Sequence, residues 1–141
     1  SNIGSTAMLE GINDDGTFKE GVNDIVMGEL RRHFRPEFLN RVDEVVLFKP
    51  LMLEQIVSIV DLLLRRLQSR LEDRKVNLAM STQAKEFIAK AAYDPVYGAR
   101  PLRRYMQQHV ETPLARKLIG GEVLEGQTVS VEVQDEQLVF M

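Results

Sequence analysis

The stretch that organises the chain is Tyr93-Asp94-Pro95-Val96-Tyr97-Gly98-Ala99-Arg100-Pro101-Leu102-Arg103-Arg104. Gly98 supplies the free backbone dihedral that a sharp turn requires. Pro101 suits the first helical position, because its missing N–H group has no partner to lose there. These residues predict a tight turn that opens a helix and places Arg100 at the helix N-terminus.

A cation is unusual at that position, because the helix macrodipole already places partial positive charge there. The exposed N–H groups and the guanidinium of Arg100 both attract an anion, and phosphate is the natural ligand for such a corner. The alternative is that Arg100 pairs with a neighbouring carboxylate or lies in solvent. The loop alone leaves both interpretations open.

The composition is that of an ordinary globular protein, with 141 residues, 44% hydrophobic and 28% charged. The net charge of −3 argues against a general nucleic-acid binder. A nucleic-acid role for Arg103 and Arg104 is also disfavoured, because no aromatic residues are interleaved with them for base stacking. No apolar run approaches the length of a membrane span, so no membrane partner is expected.

Covalent and metal chemistry are restricted by the residues that the chain contains. It has no cysteine, which excludes a disulfide, a thiol nucleophile and a cysteine-ligated metal, and which fits a reducing compartment. His33 and His109 lie far apart in sequence, so we expect no zinc site. Motifs of the types G-x-x-x-x-G-K-[ST], G-x-G-x-x-G, H-E-x-x-H and G-x-S-x-G are absent. The sequence therefore shows no complete active site.

The first third of the chain is weakly patterned. Residues 1–21 hold four glycines and a turn cluster, which predicts a loop. A helix is predicted from Val22, and it should end before Pro36 because the residue before a proline is pushed out of the α region. Residues 45–48 form a short apolar run typical of a buried strand. Lys49-Pro50 closes this run and suggests a hinge.

The remaining residues, from about 51 to 141, predict a compact α+β module. Apolar spacing indicates a long amphipathic helix near 52–74, whose charged face we interpret as solvated. Alternation predicts a strand at 76–80, and Ser81 suits the N-cap of a helix at 82–92.

The third helix of this module begins at Pro101, and Gly120-Gly121 should end it. Pro113 should kink this helix or split it. Alternation at 129–133, with an apolar segment at 138–140, predicts a hairpin. Together with the strand at 76–80 this hairpin would form a three-stranded sheet, covered on one face by helices.

Two long motifs give the chain a specific resemblance. Phe34-Arg35-Pro36-Glu37-Phe38-Leu39-Asn40-Arg41-Val42-Asp43-Glu44, followed by residues 93–102, resembles the Clp-type AAA+ unfoldases. The segments 1–5, 111–115 and 126–129 also match. Within this class the chain most resembles the ClpB disaggregases, and the ClpC-type unfoldases, which feed a protease, are similar here.

The resemblance implies the C-terminal part of a second nucleotide-binding module. Residues 1–48 would be the tail of the large α/β subdomain, and residues 49–141 the small subdomain. Asn2 matches the sensor-1 position, which orients the attacking water. Arg41 matches the arginine finger, which reaches the ATP of a neighbouring subunit. Arg100 matches sensor 2, which contacts phosphate in its own subunit together with the backbone at Gly98 and Ala99.

The resemblance also implies the setting of these residues. The parent protein would be a cytoplasmic or organellar hexamer that uses ATP and Mg²⁺ to thread unfolded or aggregated polypeptide through a pore, with a possible co-chaperone. The present chain lacks the phosphate loop and the metal-binding acidic pair, so we expect it neither to hydrolyse ATP nor to bind it tightly alone. The alternative from another class is a non-catalytic oligomerisation module whose arginines form intersubunit salt bridges.

Overall fold

A computed structural model describes residues 1–94 and 97–141, and it divides the chain into two compact units, Ser1–Leu51 and Met52–Met141. The first unit contains three helices, α1 (Ser5–Glu10), α2 (Val22–His33) and α3 (Pro36–Leu39). Among its described helices, none is long and apolar enough to cross a bilayer, and the same holds for the second unit.

The prediction of a loop over residues 1–21 is wrong for α1. This short helix packs against α2, and two glycines permit the close approach. A Cβ atom on Gly4 would lie 3.0 Å from the nearest methyl of Val26, and one on Gly11 would lie 2.1 Å from a methyl of Val22. Two of the four glycines that suggested a loop therefore serve helix packing.

The prediction of a buried strand at residues 45–48 is also wrong. These residues form neither helix nor strand, and Val46 and Phe48 are 62% and 84% exposed. The backbone N–H and C=O groups of a strand need a neighbouring strand as their hydrogen-bond partner. All residues of Ser1–Leu51 are described, and none of them forms a strand. Without a partner strand, this apolar run is largely exposed.

The second unit combines helices with a three-stranded sheet, which confirms the predicted α+β class. It begins with α4 (Leu53–Leu71) and a 3₁₀ turn (Glu72–Arg74), followed by β1 (Asn77–Met80) and α5 (Thr82–Ala92). The hydroxyl of Ser81 accepts a hydrogen bond from the Ala84 N–H at 3.1 Å, which confirms the predicted N-cap.

The third helical stretch is split, as Pro113 predicted. It consists of α6 (Arg100–Met106), a π-helical segment (Gln107–Glu111) and α7 (Thr112–Ile119). Proline lacks the N–H group that an uninterrupted α-helix would use, and the wider π turn accommodates this just before Pro113. The buried side chains of the stretch recur every four residues, at Leu102, Met106, Val110 and Leu114.

The hairpin is formed by β2 (Thr128–Gln134) and β3 (Gln137–Phe140), joined by Asp135 and Glu136. Both connecting residues have positive φ angles, of 49° and 57°, as a two-residue type I′ turn requires. Strand β1 pairs with β2 in parallel, and β2 pairs with β3 in antiparallel fashion, so the order is β1-β2-β3. The inward residues Leu78, Met80 and Val131 complete the core.

Candidate functional site

The turn before α6 is closed by two reciprocal backbone hydrogen bonds between Asp94 and Gly98. The Gly98 N–H donates to the Asp94 carbonyl at 2.7 Å, and the Asp94 N–H donates to the Gly98 carbonyl at 3.2 Å. Gly98 has a φ of 63°, and among the described residues, its two chain neighbours aside, no atom lies within 4 Å of where its Cβ would be. Glycine is therefore favoured here by backbone conformation rather than by space, as the sequence predicted. Pro95 and Val96, which the organising stretch includes, lie outside the described residues.

One side chain that sequence analysis overlooked, Asp94, and one backbone carbonyl, that of Tyr97, connect this turn to the helix. The carboxylate of Asp94 accepts a hydrogen bond from the Tyr97 N–H at 2.8 Å, and the Tyr97 carbonyl accepts one from the Arg100 N–H at 3.3 Å. The Leu102 N–H then donates to the Ala99 carbonyl at 3.1 Å and begins the helix. An aspartate that bonds to the backbone a few residues on is a known turn signal, so Asp94 could have been identified from sequence.

Arg100 is the first residue of α6, so the predicted placement at a helix N-terminus is confirmed. Its side chain is exposed, and within residues 1–94 and 97–141 no carboxylate lies within ion-pair distance of it. The helix itself is held in the core by Leu102 and Met106, which are 0% and 1% exposed. The helix start therefore presents to solvent a guanidinium that has no ion pair among the described residues, an arrangement suited to a bidentate anion contact.

Helix α6 also carries an aromatic side chain, Tyr105, and two further arginines. Farther along the helix, the ring of Tyr105 stacks on His109 with a centroid distance of 4.1 Å. Burial raises the pKa of the Tyr105 hydroxyl above its ordinary value. Arg103 and Arg104 add positive charge in the turn that follows Arg100.

The other predicted site residues lie in the first unit. Arg41 follows α3 in a turn, with its backbone N–H bonded to the Phe38 carbonyl at 3.1 Å and its side chain exposed. Asn2 precedes α1, and its carbonyl accepts hydrogen bonds from the backbone N–H and the hydroxyl of Ser5. The described contacts include no hydrogen bond between Asn2 and Arg41. Three predicted residues, Gly98, Ala99 and Arg100, are consecutive in the second unit, and Asn2 and Arg41 belong to the first.

No metal centre is evident in the described part of the chain, where no three His, Cys, Asp or Glu side chains are grouped to hold an ion.

Comparison with known proteins decides the family. A family model described as the C-terminal, D2-small domain of ClpB protein matches residues 51–131, more than half of the chain. The chain belongs to this family. The match covers α4 to the middle of β2 and includes the turn that carries Arg100.

Curated relatives extend the similarity to nearly the whole chain. The Chaperone protein ClpB of Nitratidesulfovibrio vulgaris is 64% identical over 140 residues, and that of Bacillus cereus is 53% identical over 139 residues. Chaperone protein ClpB 1 of Thermosynechococcus vestitus is 48% identical over 141 residues. Each alignment includes 99% of this chain but only 16% of the relative. The chain therefore spans about one sixth of the length of these ClpB proteins.

Proposed function

We propose that this ClpB D2-small chain contributes phosphate-contacting and intersubunit arginines to a hexameric, ATP-driven protein disaggregase. The observation that carries the proposal is the exposed guanidinium of Arg100 at the start of α6, without an ion pair among the described residues. A cation at the positive end of a helix is unfavourable unless an anion shares the position. A nucleotide phosphate would provide that anion.

In this proposal Arg100 acts as sensor 2 and contacts a phosphate of ATP in its own subunit. The reciprocal bonds between Asp94 and Gly98 hold the turn, and the buried Leu102 holds the helix, so the backbone from which Arg100 extends is fixed. The backbone at Gly98 and Ala99 lies beside the same phosphate. Such positioning matters because phosphoryl transfer depends on orientation and electrostatic stabilisation more than on covalent chemistry by the protein.

Arg41 acts in trans as the arginine finger, which reaches the ATP of a neighbouring subunit. Its side chain is exposed and lacks an ion pair among the described residues, so it is available to an adjoining protomer. A trans arginine makes hydrolysis depend on assembly, and such a finger is worth about 10³–10⁵ in rate. Asn2 is assigned to sensor 1, where its amide would orient the attacking water.

The whole protein would use ATP with Mg²⁺, assemble as a hexamer in the cytoplasm or an organelle, and act with a co-chaperone on unfolded or aggregated polypeptide. The support is the family membership and the likeness to the proteins named Chaperone protein ClpB. Because the phosphate loop and the metal-binding acidic pair are expected outside these residues, the isolated chain should neither hydrolyse ATP nor bind it tightly.

Nucleotide titration of the full-length protein tests the role of Arg100. We expect Arg100→Ala to weaken binding of an ATP analogue at the second nucleotide site by about tenfold to a hundredfold, the effect of removing a charge-assisted hydrogen bond. Arg104→Ala removes the same charge from an exposed position on the same helix and should leave the affinity nearly unchanged. Equal affinities for Arg100→Ala and the unaltered protein would overturn the proposal and favour a packing role for Arg100.

A further inference from the structure

A polar cleft of about 540 Å³ lies within the unit Met52–Met141, between α4 and the helical stretch that begins with α6. Its walls carry three arginines, Arg66 and Arg70 on α4 and Arg103 on α6. Glu111 lines the same cleft at the end of the π-helical segment. Neither Arg41 nor Arg100 lines this cleft.

The charges in this cleft are not balanced. A guanidinium nitrogen of Arg70 lies 2.7 Å from a carboxylate oxygen of Glu111, so the charge of this arginine is balanced by Glu111. Arg66 and Arg103 have no ion pair in the part of the chain that the structure describes. Arg66 and Arg70 are four residues apart on one helix face, a spacing at which like charges repel. An anion in the cleft would relieve this repulsion.

We propose that the cleft binds an acidic segment of a partner polypeptide, with carboxylates on Arg66 and Arg103. The planar guanidinium fork can bind a carboxylate in bidentate geometry. The Arg70–Glu111 ion pair shows that an arginine of this cleft binds a carboxylate. Ser69 and Gln107 also line the cleft, and they offer donors and acceptors for peptide N–H and C=O groups.

The remaining lining favours a peptide over a phosphate-rich ligand. The half-buried Leu63 provides apolar surface for the aliphatic parts of Glu or Asp side chains. The carboxylate of Glu111 would repel the dense negative charge of a nucleic-acid backbone or a polyphosphate more strongly than it repels spaced carboxylates.

Fluorescence anisotropy with the purified chain tests this proposal. The probe is a fluorescein-labelled peptide in which Glu alternates with Gly, and the matched probe replaces each Glu by Gln. We expect the Glu peptide to bind at low ionic strength, to bind less tightly as salt is added, and to bind more tightly than the Gln peptide.

Matched variants locate the binding on the cleft. Arg66→Gln combined with Arg103→Gln should weaken binding about fivefold to tenfold, the effect of losing two exposed charge contacts. Arg65→Gln combined with Arg116→Gln removes the same charge from exposed positions outside the cleft and should change the affinity little. Glu111→Gln removes the repelling carboxylate and frees Arg70, so this variant should bind the peptide more tightly.

Three outcomes would overturn the proposal. The first is equal loss of affinity in the two double variants, each checked for native circular dichroism. The second is equal binding of the Gln peptide. The third is a single-stranded oligonucleotide or inorganic pyrophosphate that binds the cleft more tightly than the Glu peptide at the same salt.

Discussion

The side-chain amide of Gln68 in α4 forms the outer hydrogen bonds of the sheet edge at Leu78. Its oxygen accepts the Leu78 N–H at 2.7 Å, and its nitrogen donates to the Val76 carbonyl at 3.2 Å. Since β1 lies at one edge of the sheet, these backbone groups would otherwise face outward without a strand partner. One amide thus takes the place of a neighbouring strand and joins α4 to the sheet.

Replacing Gln68 by alanine should therefore destabilise the second unit by about 1–3 kcal/mol, because two partly buried backbone groups lose their partners. Gln68→Glu keeps the acceptor for the Leu78 N–H and loses the donor to the Val76 carbonyl. Its free energy of unfolding should therefore lie between those of the unaltered protein and Gln68→Ala. Gln83→Ala, at an exposed position on α5, is the control and should cost little. Urea unfolding followed by circular dichroism measures these differences, and an unchanged midpoint for Gln68→Ala would refute the role.

The conformation of Gly98 leads to a second prediction. Alanine at this position must adopt a φ near 63°, which costs about 1–2 kcal/mol for an L-residue. Gly28→Ala gives the opposite sign, because Gly28 lies inside α2 and a Cβ there has no neighbour closer than 3.9 Å. We expect Gly28→Ala to stabilise the protein by about 0.5–1 kcal/mol. Thermal unfolding measures the stability of both variants. A Gly98→Ala variant as stable as the unaltered protein would contradict the conformational argument.

A third prediction concerns the packing of α1 on α2. A Cβ atom on Gly11 would lie 2.1 Å from a methyl of Val22 and 2.9 Å from the Ala7 carbonyl oxygen. Gly11→Ala should cost about 1–3 kcal/mol through overpacking. In a double-mutant cycle with Val22→Ala, the combined loss should be smaller than the sum of the single losses. Strict additivity in denaturant unfolding would show that these residues do not meet.

The fourth prediction follows from the proposed trans role of Arg41. In the full-length protein, Arg41→Ala should lower ATP hydrolysis at the second site by about 10³-fold or more and leave nucleotide binding nearly unchanged. Arg41→Lys should also be inactive, because lysine lacks the planar fork. Arg31→Ala, an exposed arginine on α2, serves as the control. Steady-state ATPase and equilibrium binding assays separate the two effects, and parallel loss of binding and hydrolysis would argue against a trans contact.

The second unit was predictable because its residues repeat with clear periods. The apolar spacing along α4, the alternation in β1 and β2, and the proline at position 113 each reflect local geometry that a single segment determines. The turn at Gly98 was predictable for the same reason, since a positive φ is a property of one residue.

The features that sequence analysis missed depend on distant partners. From sequence alone, Gly4 and Gly11 indicate a loop, because the sequence does not show that Val26 and Val22 pack against them. The run at 45–48 indicates burial, but hydrophobicity does not state whether a neighbouring strand is available. The cleft forms because α4 and α6 pack against each other, and the sequence does not show this contact. From sequence alone, the charged face of α4 was therefore interpreted as solvated.

The most direct test of the proposed function is the position of the Arg100 guanidinium in the full-length hexamer bound to a non-hydrolysable ATP analogue. We expect a structure of that complex to place its nitrogens within hydrogen-bonding distance of a phosphate oxygen in the same subunit, with Arg41 directed at the nucleotide of the neighbour. A complex in which both side chains point away from every triphosphate would contradict the proposal.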